Sequence, residues 1–279
     1  MRRFLTASAI LLSLCCLVLW SPGSAQAAGA DPFQGLTGTL HIAGGTAHIK
    51  CETEAARMIM RAHPQVRITI AGGGSGVGIQ QVCQGLIDLG NTGRPPTQAE
   101  IKRCGLKVYR FAVDGIAVVV NPSNPVAGIS KADLRAVFAG RITNWRRLGG
   151  KDAPIDLYTR DANSGTRKVF WKKGLGKGAI SPKANFVASN AAMKTAVAGD
   201  PNAIGYISLG VADQSVKLLA IDGVAPSPQA VKEGRYRIAR GLFMVTKGEP
   251  KPLARAFIQF MLSPRGQKLV AKHGFLPVK

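Results

Sequence analysis

Residues 160–167, Arg160-Asp161-Ala162-Asn163-Ser164-Gly165-Thr166-Arg167, set a guanidinium four positions ahead of a Ser-Gly-Thr that opens a predicted helix. The first N–H groups of a helix have no carbonyl partner and lie at the positive end of its dipole, so they attract anions. Ser164 and Thr166 add hydroxyl donors, and Gly165 lets the backbone approach closely. Arg160 supplies a charged fork matched to an oxyanion. Together these groups form a phosphate cradle. Taken alone, the same residues would also suit an ordinary serine-capped helix with an arginine nearby.

The segment is not alone. Gly45-Thr46-Ala47 and Gly74-Ser75-Gly76 are further strand–loop–helix junctions that end in small or hydroxyl-bearing residues, and the loop carrying Thr92 is a fourth. Ligands of open α/β sheets collect at the carboxyl ends of strands, where such loops converge. One such loop means little, because Gly and Ser are the usual punctuation between elements. Four loops from separate parts of the chain, with Arg160 among them, point to one anion site.

The elements that must position these loops alternate between strand and helix, which favours α/β layers with a largely parallel sheet. Leu40–Ile42 reads as a strand and Ala47–Ala62 as a helix. Val66–Ile70 alternates as a strand, followed by a helix to about Leu86. Ile87–Leu89 is the third strand, and it ends in the loop from Gly90 to Arg94. Thr97 and Glu100 form a capping box, and Leu106–Phe111 returns as a strand. Gly115–Val120 is uniformly apolar, so it belongs in a sheet covered on both faces. Asn121–Pro125 and Asp222–Pro228 read as crossings between two lobes. Leu242–Val245 is another buried strand. Two helices close the chain: Leu253, Phe257, Phe260 and Met261 share one face, and Ser263-Pro264 starts the last helix.

Composition narrows the setting. Arg2 and Arg3, the apolar run Phe4–Trp20 and the small-residue site Ala25-Gln26-Ala27 read as a secretory leader over residues 1–27, with Ala28 as the new N-terminus. Cys15 and Cys16 raise a lipid anchor, but Leu14 stands where a lipoprotein leader needs a small residue, so an exported soluble protein is expected. A hydrophobic content of 46% argues for a packed core rather than disorder. The formal charge of +22 would speed encounter with anions. Scattered basic residues, few aromatics and no nucleic-acid module argue against nucleic acid as the partner. Cys51, Cys83 and Cys104 permit one disulfide and leave one thiol, with the pairing open. A metal site is not expected, since the cysteines lack a CxxC spacing and His41, His48, His63 and His273 are dispersed; no cofactor is expected either.

The chain resembles the phosphate-binding proteins that serve high-affinity phosphate ABC transporters. The resemblance runs from Leu36 to Lys279. It rests on Asp88-Leu89-Gly90, Asp114–Pro122, Phe138-Ala139-Gly140-Arg141-Ile142-Thr143-Asn144-Trp145, the Arg160–Thr166 motif, Ser189-Asn190, Ala203–Ser208, Gly266-Gln267 and Gly274–Pro277. It implies a two-lobed type II periplasmic-binding-protein fold, each lobe a mixed, mostly parallel sheet flanked by helices and joined by a hinge. The lobes would take residues 28–122 with 228–279, and 123–227. The implied guest is inorganic phosphate, held by Thr46, Ala47, Ser75, Thr92, Arg160, Ser164, Gly165 and Thr166. The implied partner is a membrane permease of an ABC importer, and the protein would be a monomer in the periplasm or its equivalent.

Other readings remain open at this point. The same fold could hold another oxyanion such as sulfate or act as a phosphate sensor. Ser164 could serve as the nucleophile of a phosphate-ester hydrolase, which would need a base and an orienting acid. A basic surface protein binding acidic polymers is a further alternative. Asn144 and Trp145 read as turn and packing residues, Tyr206 as core, Cys83 as a buried helix residue, and His48 as part of a solvated helix face. Many relatives place an acidic residue or a second serine two positions after the residue equivalent to Asn91, where this chain has Gly93. A carboxylate there can accept a proton from phosphate, and sulfate has none to offer. Discrimination against sulfate is therefore expected to rest on another group here, or to be weaker.

Overall fold

The computed structural model describes residues 31–278, so the leader expected over residues 1–27 lies outside the described residues. The chain begins with strand β1 (Gly38–Gly44), helix α1 (Ile49–Ala62), strand β2 (Val66–Gly73), helix α2 (Ser75–Gln84), strand β3 (Leu89–Thr92), helix α3 (Gln98–Cys104) and strand β4 (Leu106–Val120). Next come β5 (Gly128–Ile129), α4 (Lys131–Phe138), β6 (Asp156–Arg160), α5 (Gly165–Lys173), β7 (Asn185–Val187), α6 (Asn190–Gly199), β8 (Ala203–Ser208), β9 (Lys217–Leu218), β10 (Ala220–Ile221) and α7 (Pro228–Lys232). The chain closes with β11 (Ala239–Lys247), α8 (Pro252–Leu262), α9 (Pro264–Lys272) and β12 (Leu276–Pro277).

The main sheet runs in the order β2-β1-β3-β11-β4-β8-β6-β7, with β9 and β12 also paired to β4. Its two wings are parallel: β1 pairs with β2 and β3, and β6 with β7 and β8. Its centre is antiparallel, because β4 and β11 pass between the wings and pair with each other from Gly115↔Ala239 to Leu106↔Lys247. Beyond that point, Ile116–Val120 of β4 pairs with β8 instead.

The core divides along the same line. Phe111 and Ala112 of β4 pack with Leu40, Ile42, Leu242, Phe257 and Met261, while Ile116, Val118 and Val120 pack with Trp145, Tyr206, Tyr236 and Ile238. A mixed α/β chain with two core-bearing lobes and helices on the sheet faces is the expected fold class.

Several sequence expectations hold in detail. Thr97 and Glu100 make the reciprocal capping box of α3, and Ser263 caps α9 with Pro264 in its first turn. Trp145 is buried and donates its indole N–H to the Asn202 carbonyl, Asn144 caps the short 3-10 turn Trp145–Leu148, and Tyr206 lies in the core. Two strands differ from the reading. The third extends through Thr92, because Gly90 and Asn91 lie between β1 and β11 and pair on both sides. The strands expected at Leu106–Phe111 and Gly115–Val120 are one, because Asp114 continues the β4 ladder opposite Arg240.

Cys83 of α2 and Cys104 at the end of α3 form a disulfide, and Cys51 is a buried thiol in α1. Closing a loop with a sequence separation of 21 restricts the unfolded chain by roughly 3 kcal/mol. Replacing both Cys83 and Cys104 with Ser should lower the unfolding free energy by about that amount, read from the shift in denaturant midpoint.

Candidate anion site in the interlobe cleft

The amino ends of α2 and α5 meet across the molecule. The Gly76 amide donates to the Asn163 carbonyl at 3.0 Å, and a Cβ on Gly165 would stand 2.1 Å from the Ser75 hydroxyl. Only glycine permits this approach. Between the loops lies a small cleft of about 10 Å³, far below the size of pockets that hold organic ligands. Thr46, Ala47, Ser75, Arg160, Ser164, Gly165 and Thr166 all line it, so seven of the eight residues expected from the sequence come together.

Thr92 is not among the lining residues. Its hydroxyl donates to the Arg94 carbonyl at 2.7 Å, and the residue is fully buried in β3. Because β3 runs three residues further than expected, to Thr92, the position that reaches the cleft is Gly93.

The hydroxyls are held from behind by N–H donors. Thr46 Oγ1 accepts from the Asn190 amide at 3.2 Å and from Asn190 Nδ2 at 3.0 Å. Ser75 Oγ accepts from the Gly93 amide at 2.9 Å, and Ser164 Oγ caps α5 by accepting from Arg167 N at 3.1 Å. Thr166 Oγ1 accepts from Arg240 Nη1 at 2.9 Å. Asn190, whose own Oδ1 accepts from Ser208 N at 3.0 Å, is thus a positioning residue contributed by α6.

Arg160 is 1% exposed. One of its nitrogens, Nη2, donates to the Ala188 carbonyl, while Nε and Nη1 have no hydrogen-bond partner among the described residues. Burial pulls its pKa down, yet a guanidinium does not lose its proton in a protein. The cleft therefore holds a buried positive charge with two donor atoms to spare, an arrangement that favours an anion between the lobes.

A second guanidinium lines the cleft. Arg240 Nε and Nη2 both bond Asp114 Oδ2, at 2.9 and 2.8 Å, and Nη1 reaches the Gly93 carbonyl at 3.2 Å as well as Thr166. Asp114 also accepts from the Ser208 hydroxyl at 2.9 Å. Burial pushes its pKa up, against the pull of Arg240, Ser208 and the Leu209 peptide. The sequence reading missed Arg240. Its signal was a charged residue at the start of an apolar strand, matched by Asp114 at the head of another. A side chain at Gly93 would place its Cβ 2.5 Å from Arg240 Nη1, so this arginine fills the room beside Gly93.

His48 departs from the solvated-face reading. It is fully buried against Phe111, with Nδ1 3.0 Å from the Gly45 carbonyl. Burial, reinforced by the charge of Arg240, lowers its pKa to about 3, so it is neutral. One turn on, Glu52 is also fully buried and accepts from Asn91 Nδ2. Burial raises its pKa to about 8, which the Asn91 bond only partly opposes. The Asn91 carbonyl in turn accepts from the Gly45 amide at 2.8 Å, tying this cluster to the first anion loop.

The raised pKa has a consequence for stability. Between the ordinary glutamate value and about 8, native Glu52 keeps its proton while the unfolded chain releases it. The native state then binds more protons, and stability falls as pH rises through that window. In Glu52→Gln that part of the decline should disappear, read as a flatter dependence of Tm on pH between about 5 and 8.

The PBP superfamily domain profile matches residues 23–265. The phosphate-binding protein PstS of Bacillus subtilis is 35% identical over 280 residues, spanning 98% of this chain and 92% of that protein. The PstS of Pseudomonas aeruginosa is 27% identical over 96% of this chain and 94% of its own. A phosphate-bound substrate-binding protein from Clostridium perfringens superimposes with a TM-score of 0.81 at 32% identity, covering 87% of this chain and all of that one. An ABC-type phosphate transport receptor from Vibrio cholerae gives a TM-score of 0.68 at 31% identity, covering 85% and 99%. With this coverage the chain belongs to the PBP superfamily and, within it, to the family of phosphate-binding proteins of ABC transporters.

Proposed function

We propose that this protein captures inorganic phosphate outside the cytoplasmic membrane and delivers it to the permease of an ABC importer. The observation that carries the reading is the buried Arg160, whose two unpartnered nitrogens share one small cleft with the hydroxyls of Thr46, Ser75, Ser164 and Thr166. Amides at the turn of Thr46 and Ala47 and at the start of α5 add further donors, since those of Thr46, Ala47, Gly165 and Thr166 have no backbone partner among the described residues. Capture at micromolar concentration needs about 8 kcal/mol. Hydrogen bonds to charged groups contribute roughly 1.5–3 kcal/mol each, so four or five of these donors suffice after desolvation. Thr92 has no part in this proposed set, and Arg240 joins it by holding Thr166.

Phosphate would favour closure, because Thr46 and Ser75 stand on one lobe and Arg160–Thr166 on the other. A ligand that gains its full set of bonds only in the closed form stabilises that form by the difference, and a permease can recognise the result. The lobe crossings in this reading lie within β4 at residues 115–116 and just before β11 at 238–239, where strand pairing and core packing change partners. The long leader-like N-terminus supports export, and a monomer is sufficient because one chain supplies every ligand. Turnover of a phosphate ester is the weaker reading. Ser164 Oγ already serves as a helix cap, and His48, the neutral imidazole at the cleft, is bonded to Gly45 rather than to a hydroxyl.

Replacing Arg160 with Ala should weaken phosphate binding by about 2–5 kcal/mol, the cost of breaking a buried charge pair. Lys should not restore it, because an ammonium cannot offer two parallel donors. Calorimetric titration checks this, and an Arg160→Ala protein that binds phosphate like its parent removes the site from consideration.

A further inference from the structure

A second hollow borders the junction of α2 and α5, and at about 480 Å³ it is far roomier than the anion cleft. Such a volume admits several side chains of a partner or a small organic group. Gln80, Cys83 and Gln84 of α2, with Arg94, Glu100 and Arg103 at and around α3, form one wall. Asn163, just before α5, and Lys168, in its first turn, form the other.

The first wall is braced. The disulfide Cys83–Cys104 ties α2 to the end of α3. Arg94 is fastened to α3 as well, because Nη1 donates to Glu100 Oε2 at 2.7 Å and Nη2 to Oε1 at 2.6 Å. This bidentate bond holds the Glu100 carboxyl at a pKa of about 2, so it is ionised and the two charges cancel. Arg94 is only 7% exposed, and its Nε has no hydrogen-bond partner among the described residues. The second wall meets the first closely: the Gly76 amide donates to the Asn163 carbonyl, and a Cβ on Gly76 would stand 2.7 Å from Asn163 Oδ1.

Arg103 on α3 and Lys168 on α5 are exposed, and neither has an ion-pair partner among the described residues. With Arg94 and Glu100 balanced, these cations stand unanswered in the hollow. Gln80 and Gln84, exposed one turn apart on α2, add amide donors beside them. A free small anion gains little from two solvated side chains. A protein segment that covers the hollow excludes water and so strengthens the same charges.

Resting on the reading of the protein as a phosphate carrier, we propose that this hollow receives an acidic segment of the importer's permease, with its carboxylates set between Arg103 and Lys168. The glutamine amides and Arg94 Nε supply further donors to that segment. The two cations stand on walls whose elements also supply Ser75 and Ser164 to the anion cleft, so their spacing depends on closure around the guest. In an open form Lys168 moves away with α5, and the segment keeps only one of its two charge partners. Docking and phosphate capture are thereby coupled, each favouring the form that the other needs. Acidic lipid is the competing source of negative charge. It would be drawn by the formal charge of +22 as a whole, whereas the permease segment depends on this pair of residues.

The test uses the full mature protein and the importer of the same organism, reconstituted in nanodiscs of uncharged lipid. ATP hydrolysis is followed as phosphate-loaded carrier is added. Arg103→Glu combined with Lys168→Glu should raise the half-saturating carrier concentration about tenfold or more, while calorimetry finds the phosphate affinity of the parent. Arg103→Glu alone, which leaves α5 untouched, should raise it about threefold or more and decides the matter if the double variant binds phosphate poorly. Lys247→Glu combined with Arg265→Glu makes the same charge change outside the hollow and should stay within about twofold of the parent. Half-saturation unchanged in the hollow variants, or raised equally in the control, overturns the docking site and leaves the carrier reading intact. A parent protein that does not stimulate hydrolysis at all overturns the carrier reading, and the docking site with it.

Discussion

Arg240 bonds three of the chain segments that meet at the cleft. It pairs with Asp114 across β4 and β11 at the centre of the sheet, and its remaining donor atom reaches the Gly93 carbonyl just after β3 and the Thr166 hydroxyl of α5. Both charged side chains are nearly inaccessible to solvent. Removing one partner of such a pair leaves a buried charge uncompensated, at a cost of about 3–5 kcal/mol. The pair therefore does more than join two strands. It fixes the distance between the Gly93 loop and the start of α5, and that distance defines the cleft.

The cleft itself is maintained against the usual rule that buried polar groups are satisfied. Among the described residues Arg160 is buried with two nitrogens that have no hydrogen-bond partner, and the amides at the start of α5 have no backbone partner. Such groups would collapse onto the nearest acceptor if the scaffold allowed it. The supports behind them prevent this: Ala188 holds one end of Arg160, Asn190 holds Thr46, and Arg167 holds Ser164. Preorganised donors lose little further freedom when a guest arrives, which is how a site of this size can bind tightly.

Beneath the first loop, His48, Glu52 and Asn91 form a polar cluster in what is otherwise the apolar face of α1. Burial keeps both titratable members uncharged near neutrality, the histidine by lowering its pKa and the glutamate by raising it. The field that reaches the cleft from this side is therefore that of dipoles and of α1's amino end, while the full charges come from Arg160 and Arg240.

What the sequence by itself determined was local. Ser164, Thr97 and Ser263 cap their helices because the cap and its amide lie three residues apart. The hydroxyl loops end strands because Gly and Ser punctuate apolar runs, and that spacing was enough to find seven cleft residues. Tertiary structure decided whatever depends on distant neighbours. The end of β3, and with it the exclusion of Thr92, is set by hydrogen bonding to β1 and β11 on either side. The Cys83–Cys104 pairing follows from α2 and α3 lying together, and the burial of His48 from Phe111 covering it. Arg240 is 74 positions from Thr166 and 126 from Asp114. No local periodicity encodes that meeting, because it exists only once two strands run side by side and bring their isolated charges into register.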